Sequence, residues 1–232
     1  MKPDYGLDFP QRVRDFAIRG CMFFAAGVAL WISNGANAVA WIVLLIGLGF
    51  GVMVAVYFSS SRTGKLQMRD RLLDGIPWKG DEKVLDIGCG RGLLLIGAAK
   101  RLQTGRATGL DVWRKEDLSD NSADALRDNA TAEGVLPKIK IETGDARQLP
   151  FGDASFDVVL SSNVLSQLPD RGKALAEIVR VLKPGGQLRL FDTSGSGDTA
   201  KDLQGLGLAD VAMSAPSWLW CMPSRTVSGK KP

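Results

Sequence analysis

Histidine does not occur in the 232-residue sequence, and cysteine is rare. Without histidine, a His-ligated metal site is excluded, as are the Ser-His and Cys-His pairs of nucleophilic catalysis. The three cysteines, Cys21, Cys89 and Cys221, lie far apart in the chain. No two of them have the spacing of a disulfide framework or a metal motif, which is typical of proteins from a reducing compartment. We therefore expect no bound metal.

Charged residues are missing from residues 20–58, whereas they occur at an ordinary density later in the chain. Two apolar runs lie in this region, separated by a polar turn at residues 34–37. The second run has the length that a bilayer requires, roughly 20 residues, and the first reaches it by recruiting the residues before it. The sequence therefore predicts a membrane hairpin of two transmembrane helices, at about residues 16–33 and 38–58.

Basic residues flank both outer ends of this hairpin, and none lies in the turn between its helices. They are Arg12, Arg14 and Arg19 at the outer end of the first helix, and Arg62, Lys65, Arg69 and Arg71 after the second. By the positive-inside rule, both termini are expected in the cytoplasm. The net charge of +4 is explained by an anionic lipid surface beside these residues. The lipid bilayer is therefore an expected partner, and nucleic acid is not.

Two other interpretations of the apolar region remain open. A basic stretch, an apolar stretch and the triplet Ala36-Asn37-Ala38 also resemble a cleavable signal sequence. The two runs could also form a buried pair of core helices. The hairpin interpretation divides the chain into an anchoring region at 1–61, a connector at 62–79 with an amphipathic helix near Leu66–Leu73, and a further domain at 80–232.

From Lys83 onward, apolar strand patterns alternate with helical patterns. Such alternation is the signature of a parallel sheet with crossover helices. We therefore predict an α/β fold, a Rossmann-like, doubly wound and mostly parallel seven-stranded sheet, preceded by the two transmembrane helices. The predicted strands are 83–87, 107–111, 138–143, 156–161, 187–192, 210–214 and 225–229, and the predicted helices are 93–102, 123–133, 171–182 and 199–206.

A glycine-rich turn, Gly88-x-Gly90-x-Gly92, lies between the first predicted strand and the helix that follows. Such turns bring backbone N–H groups close to a ligand. A dinucleotide-binding turn would have its last glycine where this chain has Leu93, and no phosphate-binding lysine lies in the turn, so an NAD-dependent oxidoreductase is disfavoured. The preceding Asp86 would repel pyrophosphate but attracts cations. The ammonium and sulfonium groups of S-adenosylmethionine fit this requirement.

Further polar residues follow the next predicted strands. Asp111 ends the second strand, at the place where an acidic side chain reaches ribose hydroxyls in doubly wound folds. Asp145 follows the third strand, where it could accept from an adenine amino group, and Asn163 follows the fourth. Asn163 could instead cap the next helix. Because parallel strands bind ligands at their carboxyl ends, we expect these side chains around one cofactor.

Five successive motifs resemble those of class I S-adenosylmethionine-dependent methyltransferases. They are Val84-Leu-Asp-Ile-Gly-Cys-Gly-Arg-Gly92, Gly109-Leu-Asp111, Gly144-Asp-Ala146 with Leu149-Pro-Phe151, Phe156-Asp-Val-Val-Leu-Ser-Ser162 and Arg180-Val-Leu-Lys-Pro-Gly-Gly186. Within that family the chain resembles the small-molecule group that includes ubiquinone and menaquinone methyltransferases. The resemblance extends from about Gly80 to the C-terminus.

This resemblance implies a role for each motif. The glycine turn and Asp86 would hold the methionine part of S-adenosylmethionine, Asp111 the ribose and Asp145 the adenine. The cofactor-binding residues expected on this basis are Asp86, Gly88, Cys89, Gly90, Gly92, Asp111, Val112, Asp145, Ala146 and Asn163. The polar segment 113–121 is expected to fold over the cofactor, while the thiol of Cys89 is expected to pack inside the domain.

The acceptor side departs from the family, which commonly has histidine after the fourth strand, where this chain has residues 163–168. Residues 80–232 contain neither histidine nor tyrosine, so any general base must be a carboxylate, a lysine, a cysteine or water. Alignment alone supplies much of the rate when the methyl acceptor is already nucleophilic. Asn163 and Asp192 are the candidate catalytic residues, Asp192 as a base. Trp218 and Trp220 would either line an acceptor pocket or anchor the domain at the membrane surface.

The sequence thus predicts a membrane-tethered S-adenosylmethionine-dependent methyltransferase that acts on a small or lipid-soluble acceptor. The alternative is a non-catalytic membrane scaffold or cofactor-binding module that keeps the same fold. The alternative is motivated by the acceptor side, where histidine is absent and a glycine-serine loop follows Asp192.

Overall fold

The computed structural model describes residues 2–232. The chain begins with a helical hairpin formed by α1 (Pro10–Asn34) and α2 (Ala38–Ser59), so the two predicted apolar helices are present. Asn37 caps α2 by accepting a hydrogen bond from the N–H of Ala40 at 2.9 Å. The helix does not end at the expected connector, because no proline interrupts it. It continues through a π-helical turn, Ser60–Gly64, into α3 (Lys65–Asp74).

Glycines let the two long helices approach each other closely. A Cβ on Gly47 would lie 2.9 Å from the backbone nitrogen of Phe24, and a Cβ on Gly27 would lie 2.7 Å from Cγ of Leu44. The rings of Phe23 and Phe50 stack across the same interface, with centroids 5.7 Å apart. The helices therefore pack tightly on each other, as small residues allow between apolar helices.

The outer surface of this hairpin is apolar and exposed. Both helices are long and apolar enough to cross a membrane, and only 11% of the most apolar 18-residue window of each is buried. Ile32 is 82% exposed, and Met22 and Leu45 are exposed by 66% and 61%. A contiguous apolar surface of this kind marks a binding or membrane-facing surface. The pair is therefore not a buried core of this chain.

The remaining residues form an α/β layer structure. Its strands are β1 (Lys83–Ile87), β2 (Arg106–Asp111), β3 (Ile139–Thr143), β4 (Phe156–Ser162), β5 (Leu182–Asp192), β6 (Ala209–Met213), β7 (Ser217–Leu219) and β8 (Met222–Lys230). Its helices are α4 (Leu93–Arg101), α5 (Ala123–Ala132), α6 (Arg171–Val181) and α7 (Ser196–Gly205). The predicted Rossmann-like α/β fold is confirmed.

Seven of these strands form one continuous sheet in the order β3-β2-β1-β4-β5-β8-β6, within the described residues. The first five strands of this order are parallel, and β8 and β6 are antiparallel to their neighbours. β1 lies in the middle and is fully buried from Val84 to Ile87. The chain leaves β1 toward β2 on one side, while β4 lies on the other, so the carboxyl end of β1 is a topological switch point.

Two details of the sheet differ from the sequence-based expectation. β5 begins at Leu182, because Leu182 pairs with Phe156 while Gln187 pairs with Val158, and the residues between them bulge out. A short additional strand, β7, lies in the connection between the two C-terminal strands and pairs with the first part of β8. The two C-terminal strands pair in antiparallel orientation, with Ala209 opposite Lys230.

The segments on either side of the hairpin pack against the α/β layers. We call residues 2–9 and 60–68 together the hairpin root. Asp8 forms an isolated antiparallel bridge with Leu118, and the N–H of Phe9 donates to the carbonyl of Asp117 at 3.1 Å. The indole of Trp220, next to β7, donates to Oγ of Ser61 at 3.1 Å. The hairpin root is thus fixed to the domain at several places.

Candidate active site

A cavity of about 320 Å³ lies at the carboxyl ends of the parallel strands, between the sheet and the hairpin root. This volume falls in the range of ligand-binding pockets. Most of the sequence-predicted cofactor residues line it, namely Asp86, Gly88, Cys89, Gly90, Asp111, Val112, Asp145, Ala146 and Asn163. Among the predicted cofactor-binding residues, Gly92 alone does not line the cavity.

The glycine turn has the backbone conformation that only glycine adopts without strain. Gly88, Gly90 and Gly92 have φ values of 67°, 51° and 89°. A Cβ on Gly88 would lie 2.1 Å from Cγ2 of Val164, so the turn is pressed against the segment after β4. Gly92 caps the start of α4, and a Cβ there would meet Cδ1 of Ile96 at 2.8 Å. Gly92 therefore serves the turn and the helix rather than the cavity wall.

Asp86 is a buried carboxylate at the wall of this cavity. It is 1% exposed, and its Oδ2 atom has no hydrogen-bond partner among residues 2–232. Burial raises the pKa of Asp86 well above its ordinary value, and the nearby charge of Asp111 raises it further. A buried acceptor without a donor is costly, and a cationic donor would relieve that cost. This orphaned oxygen fits the ammonium group of S-adenosylmethionine.

Asp111 ends β2 with its carboxylate held in place by the backbone. The N–H of Gly90 donates to Oδ2 at 2.7 Å, and the N–H of Trp113 donates to Oδ1 at 2.6 Å. The amide of Asn121 lies 3.4 Å from Oδ1. A carboxylate has about four acceptor positions, so at least one is left for a ribose hydroxyl. The hydrogen bond from Gly90 therefore links the glycine turn directly to Asp111, the residue predicted to bind ribose.

The polar segment after β2 folds over the cavity. Arg114, Asp117, Leu118 and Asn121 line it, and the indole of Trp113 donates to Oγ1 of Thr143 at 2.8 Å. The bridge from Asp8 to Leu118 fixes this segment from the outside. The expected covering loop is therefore present, and its position depends on the N-terminal segment.

Asp145 lies at the adenine end expected from the sequence, but it already has a partner. Its carboxylate forms a bidentate pair with Arg147, with Nη2 to Oδ2 at 2.6 Å and Nε to Oδ1 at 3.0 Å. These hydrogen bonds lower the pKa of Asp145 to about 2. The side chain is 38% exposed, so its remaining acceptor positions face solvent or the cavity. Ala146 beside it is buried and lines the cavity.

The two candidate catalytic residues differ in their placement. Asn163 lines the cavity at φ 55°, its N–H donates to the carbonyl of Phe191 at 2.8 Å, and its buried Oδ1 has no partner among residues 2–232. Asp192 does not line the cavity; it is 6% exposed and accepts a hydrogen bond from the hydroxyl of Ser166. Burial raises the pKa of Asp192 to about 6. Asp192 therefore lies behind the wall rather than at the reacting centre.

The structure also shows where the side chains of Cys89, Trp218 and Trp220 lie relative to the cavity. A Cβ on Gly109 would lie 2.8 Å from Sγ of Cys89, so the thiol packs against β2 inside the domain. Burial raises the pKa of this thiol well above its ordinary value, which keeps it protonated. Trp220 lines the cavity and is 1% exposed, whereas Trp218 lies outside the cavity and is 73% exposed. Only Trp220 is placed to contact a ligand there.

The hairpin root supplies part of the cavity wall that the sequence-based interpretation missed. The lining residues from it are Tyr5, Asp8, Phe9, Lys65 and Met68. The Phe9 ring meets the Trp220 ring edge to face, with centroids 5.5 Å apart. No sequence motif marks these residues, because a lysine after an apolar helix is equally expected to reach for lipid headgroups. The cavity is thus closed by residues on both sides of the hairpin.

Comparison with known proteins identifies the α/β region. Residues 85–190 match a family model described as a methyltransferase domain. The chain is 35% identical over 126 residues to 27-O-demethylrifamycin SV methyltransferase of Amycolatopsis mediterranei, covering 54% of this chain and 44% of that protein. It is 39% identical over 138 residues to demethylmenaquinone methyltransferase of Lactiplantibacillus plantarum, covering 59% and 50%. The chain thus spans about half the length of these curated relatives.

A solved structure agrees with the fold. A SAM-dependent methyltransferase from Aquifex aeolicus superimposes with a TM-score of 0.58 at 17% identity, covering 72% of this chain and 92% of that one. At this identity the likeness concerns the fold alone. Residues 85–190 therefore match a methyltransferase domain, and the solved structure has the same fold.

Proposed function

We propose that the chain is a membrane-tethered S-adenosylmethionine-dependent methyltransferase that modifies a lipid-soluble acceptor at the membrane surface. The observation that carries this proposal is the cavity, which has the glycine turn on one side and the hairpin root on the other. A methyl donor bound at the glycine turn would there lie close to an acceptor that enters from the bilayer.

The residues of the domain account for donor binding. S-adenosylmethionine supplies a methyl group on a positively charged sulfur, which nucleophiles attack. Asp86 would neutralise its ammonium group, the Asp111 carboxylate would accept from its ribose, and Asp145 would lie beside its adenine. Asn163 has an amide oxygen without a partner and lies next to Val164, against which the glycine turn packs. These roles are proposals for each residue, supported by the cavity lining and the hydrogen bonds described above.

The acceptor half of the cavity favours an apolar molecule. Phe9, Leu168 and Trp220 line the cavity, and hydrophobic and aromatic side chains of this kind predominate in pockets that bind small organic molecules. Since Asp192 lies behind the wall, alignment of an already nucleophilic acceptor is the main contribution that the domain would make to the rate. The relatives named for methylation of menaquinone and rifamycin precursors are consistent with small organic acceptors.

The orientation in the membrane follows from charge. Basic residues flank the outer ends of the hairpin, and the turn at 34–37 has none. This distribution supports a multi-pass chain with both termini in the cytoplasm, where the hairpin root and the cavity would face the supply of the methyl donor. Trp31 and Trp41, with ring centroids 5.5 Å apart near the turn, would lie at the opposite interface.

Label transfer would test the proposal. The full chain in lipid nanodiscs is incubated with methyl-labelled S-adenosylmethionine and either a total lipid extract or an aqueous metabolite extract. We expect label in the lipid extract, and its loss with Asp111→Asn. Label only in the aqueous extract would contradict the lipid-soluble acceptor. Binding of the donor without transfer to either extract would favour the non-catalytic cofactor-binding module.

A further inference from the structure

A buried ion pair joins the two parts of the hairpin root at the cavity wall. Nζ of Lys65 lies 2.9 Å from Oδ2 of Asp8, and the two side chains are 3% and 18% exposed. Lys65 also donates to the carbonyls of Tyr5 at 2.8 Å and Gly6 at 2.7 Å. All three donors of the ammonium group are therefore engaged within the chain. Lys65 fixes the backbone of residues 5–8 and thereby the direction of the Asp8 carboxylate.

The carboxylate of Asp8 has capacity for a further donor. It lines the cavity, and the side chains that hydrogen-bond it are Lys65 and Ser61. About four acceptor positions are present on a carboxylate, so these two leave others open. Burial raises the pKa of Asp8 against the opposing effect of Lys65, and burial lowers the pKa of Lys65. A buried pair of this kind adds little stability by itself.

A positive group with an unused donor lies beside this pair. Arg91, in the glycine turn, lines the cavity, and its terminal nitrogens donate to the carbonyl of Ser119 and to Asp4, both at 3.2 Å. Its Nε–H is buried and has no partner among residues 2–232. A Cβ on Gly6 would lie 3.0 Å from Cδ of Arg91, so the guanidinium is adjacent to the segment that Lys65 holds. Opposite charges thus occur together where the glycine turn meets the hairpin root.

The rest of the donor molecule has other expected places. Its ribose and adenine belong at Asp111 and Asp145, at the ends of β2 and β3. The end of the cavity near α4, which Asp86, Leu93, Leu94, Lys65 and Met68 line, is left for the amino-acid part of the donor. That part is a zwitterion, with an ammonium and a carboxylate on one carbon. A carboxylate and a guanidinium side by side have the complementary charges.

We propose that the hairpin root completes the methyl-donor site, with Asp8 joining Asp86 in binding the ammonium and Arg91 binding the carboxylate of the donor's amino-acid part. Lys65 is a positioning residue that acts through Asp8. This inference rests on the proposed donor binding and extends it to the anchor. The membrane hairpin is then part of the donor site as well as a tether, and donor affinity depends on how the root is held.

Two ligands that differ only in the relevant part provide the test. S-adenosylhomocysteine contains the amino-acid part, whereas 5′-methylthioadenosine lacks it and keeps the adenosine. Calorimetry on the full chain in detergent micelles measures both. The variants are Asp8→Asn, Lys65→Met and Arg91→Gln, with Asp111→Asn for the adenosine end. Asp15→Asn is the matched control, because Asp15 forms an exposed ion pair with Arg14 in the same region.

We expect Asp8→Asn and Arg91→Gln each to weaken S-adenosylhomocysteine binding by about tenfold or more, the value of a charge-assisted hydrogen bond. Lys65→Met should also weaken S-adenosylhomocysteine binding, because Lys65 positions the carboxylate of Asp8. Binding of 5′-methylthioadenosine should stay within about twofold for all three variants, which also shows that the cavity is intact. Asp111→Asn should weaken both ligands, and Asp15→Asn neither.

The outcomes separate this inference from the proposed function. If the unaltered chain binds S-adenosylhomocysteine and Asp111→Asn weakens it, but Asp8→Asn behaves like Asp15→Asn, the hairpin root is not part of the donor site. Equal losses for both ligands with Asp8→Asn would also overturn the inference, because they would indicate general damage to the wall. If the unaltered chain binds neither ligand, the proposed function fails and this inference with it.

Discussion

Replacement of Gly88 by alanine tests the central turn of the site. Gly88 has a φ of 67°, a conformation that costs an alanine about 1–2 kcal/mol. Its new Cβ would also lie 2.1 Å from Cγ2 of Val164, a contact that must be relieved by movement. Overpacking of this kind costs about 1–3 kcal/mol. We therefore expect Gly88→Ala to lower the free energy of unfolding by roughly 2–5 kcal/mol in total.

Gly134→Ala is the matched control for this prediction. Gly134 has a φ of 70°, nearly the same as Gly88, but within residues 2–232 no heavy atom apart from those of its chain neighbours lies within 4 Å of the position of its Cβ. The control therefore bears the conformational cost alone, about 1–2 kcal/mol. The difference between the two variants, about 1–3 kcal/mol, isolates the contact with Val164. For a chain of this size it corresponds to roughly 2–12 °C in unfolding temperature.

The assay is thermal unfolding of the full chain in detergent micelles, followed by binding of S-adenosylhomocysteine to the folded variants. Because Val164 is adjacent to Asn163 in the cavity wall, its displacement should also weaken ligand binding in Gly88→Ala and leave binding unchanged in Gly134→Ala. Equal unfolding temperatures and equal affinities for the two variants would refute the close approach of the turn to the segment after β4.

Three further predictions concern other parts of the chain. A reporter that fluoresces only in the cytoplasm should fluoresce when fused after Pro232 and stay dark when fused after Gly35; fluorescence at Gly35 would contradict the hairpin topology. Burial raises the pKa of Asp192 to about 6, so the folded chain keeps a proton that the unfolded chain releases near pH 4. Stability should therefore fall as pH rises from about 4 to 6, by up to about 3 kcal/mol, and Asp192→Asn should remove this dependence in urea unfolding at each pH. Trp220→Phe loses the buried hydrogen bond to Ser61 and should cost about 1–3 kcal/mol, whereas Trp218→Phe, at 73% exposure, should stay within about 0.5 kcal/mol; equal effects would contradict the assigned positions.

The strands and helices of the domain could be predicted because their local and tertiary requirements agree. β1 matches its predicted bounds, since a short apolar run before a glycine turn has no competing interpretation. The acids at the strand ends were predictable for the same reason, because topology alone brings the carboxyl ends of parallel strands together. The structure of Leu182–Gly186 differs from the prediction, which began this strand at residue 187. The pairing of Leu182 with Phe156 is a tertiary contact that a Pro-Gly-Gly sequence does not indicate.

The hairpin root could not be predicted because its contacts are distant in sequence. Lys65 is 57 residues from Asp8, and Asn129 donates to the carbonyl of Asp4 across 125 residues. No periodicity or motif encodes such pairs. The pairing of Asp145 with Arg147 is local, because the partners are two positions apart, yet it depends on a side-chain rotamer that a strand-end pattern does not specify. The part of the cavity wall formed by the α/β domain was thus predictable, while the part formed by the hairpin root was not.

These distant contacts determine which form of the protein can be studied. A fragment that begins at Gly80 would lack Asp8 and Lys65 from the cavity wall, and it would expose the surface against which Leu72 and Leu73, both nearly fully buried, are packed. Burial of a leucine side chain stabilises the folded state by about 1.5–3 kcal/mol. The fragment would therefore lose a large part of the free energy of unfolding that a domain typically has. Residues 2–79 and the α/β domain therefore depend on each other for folding, and ligand binding is best assayed with the hairpin present.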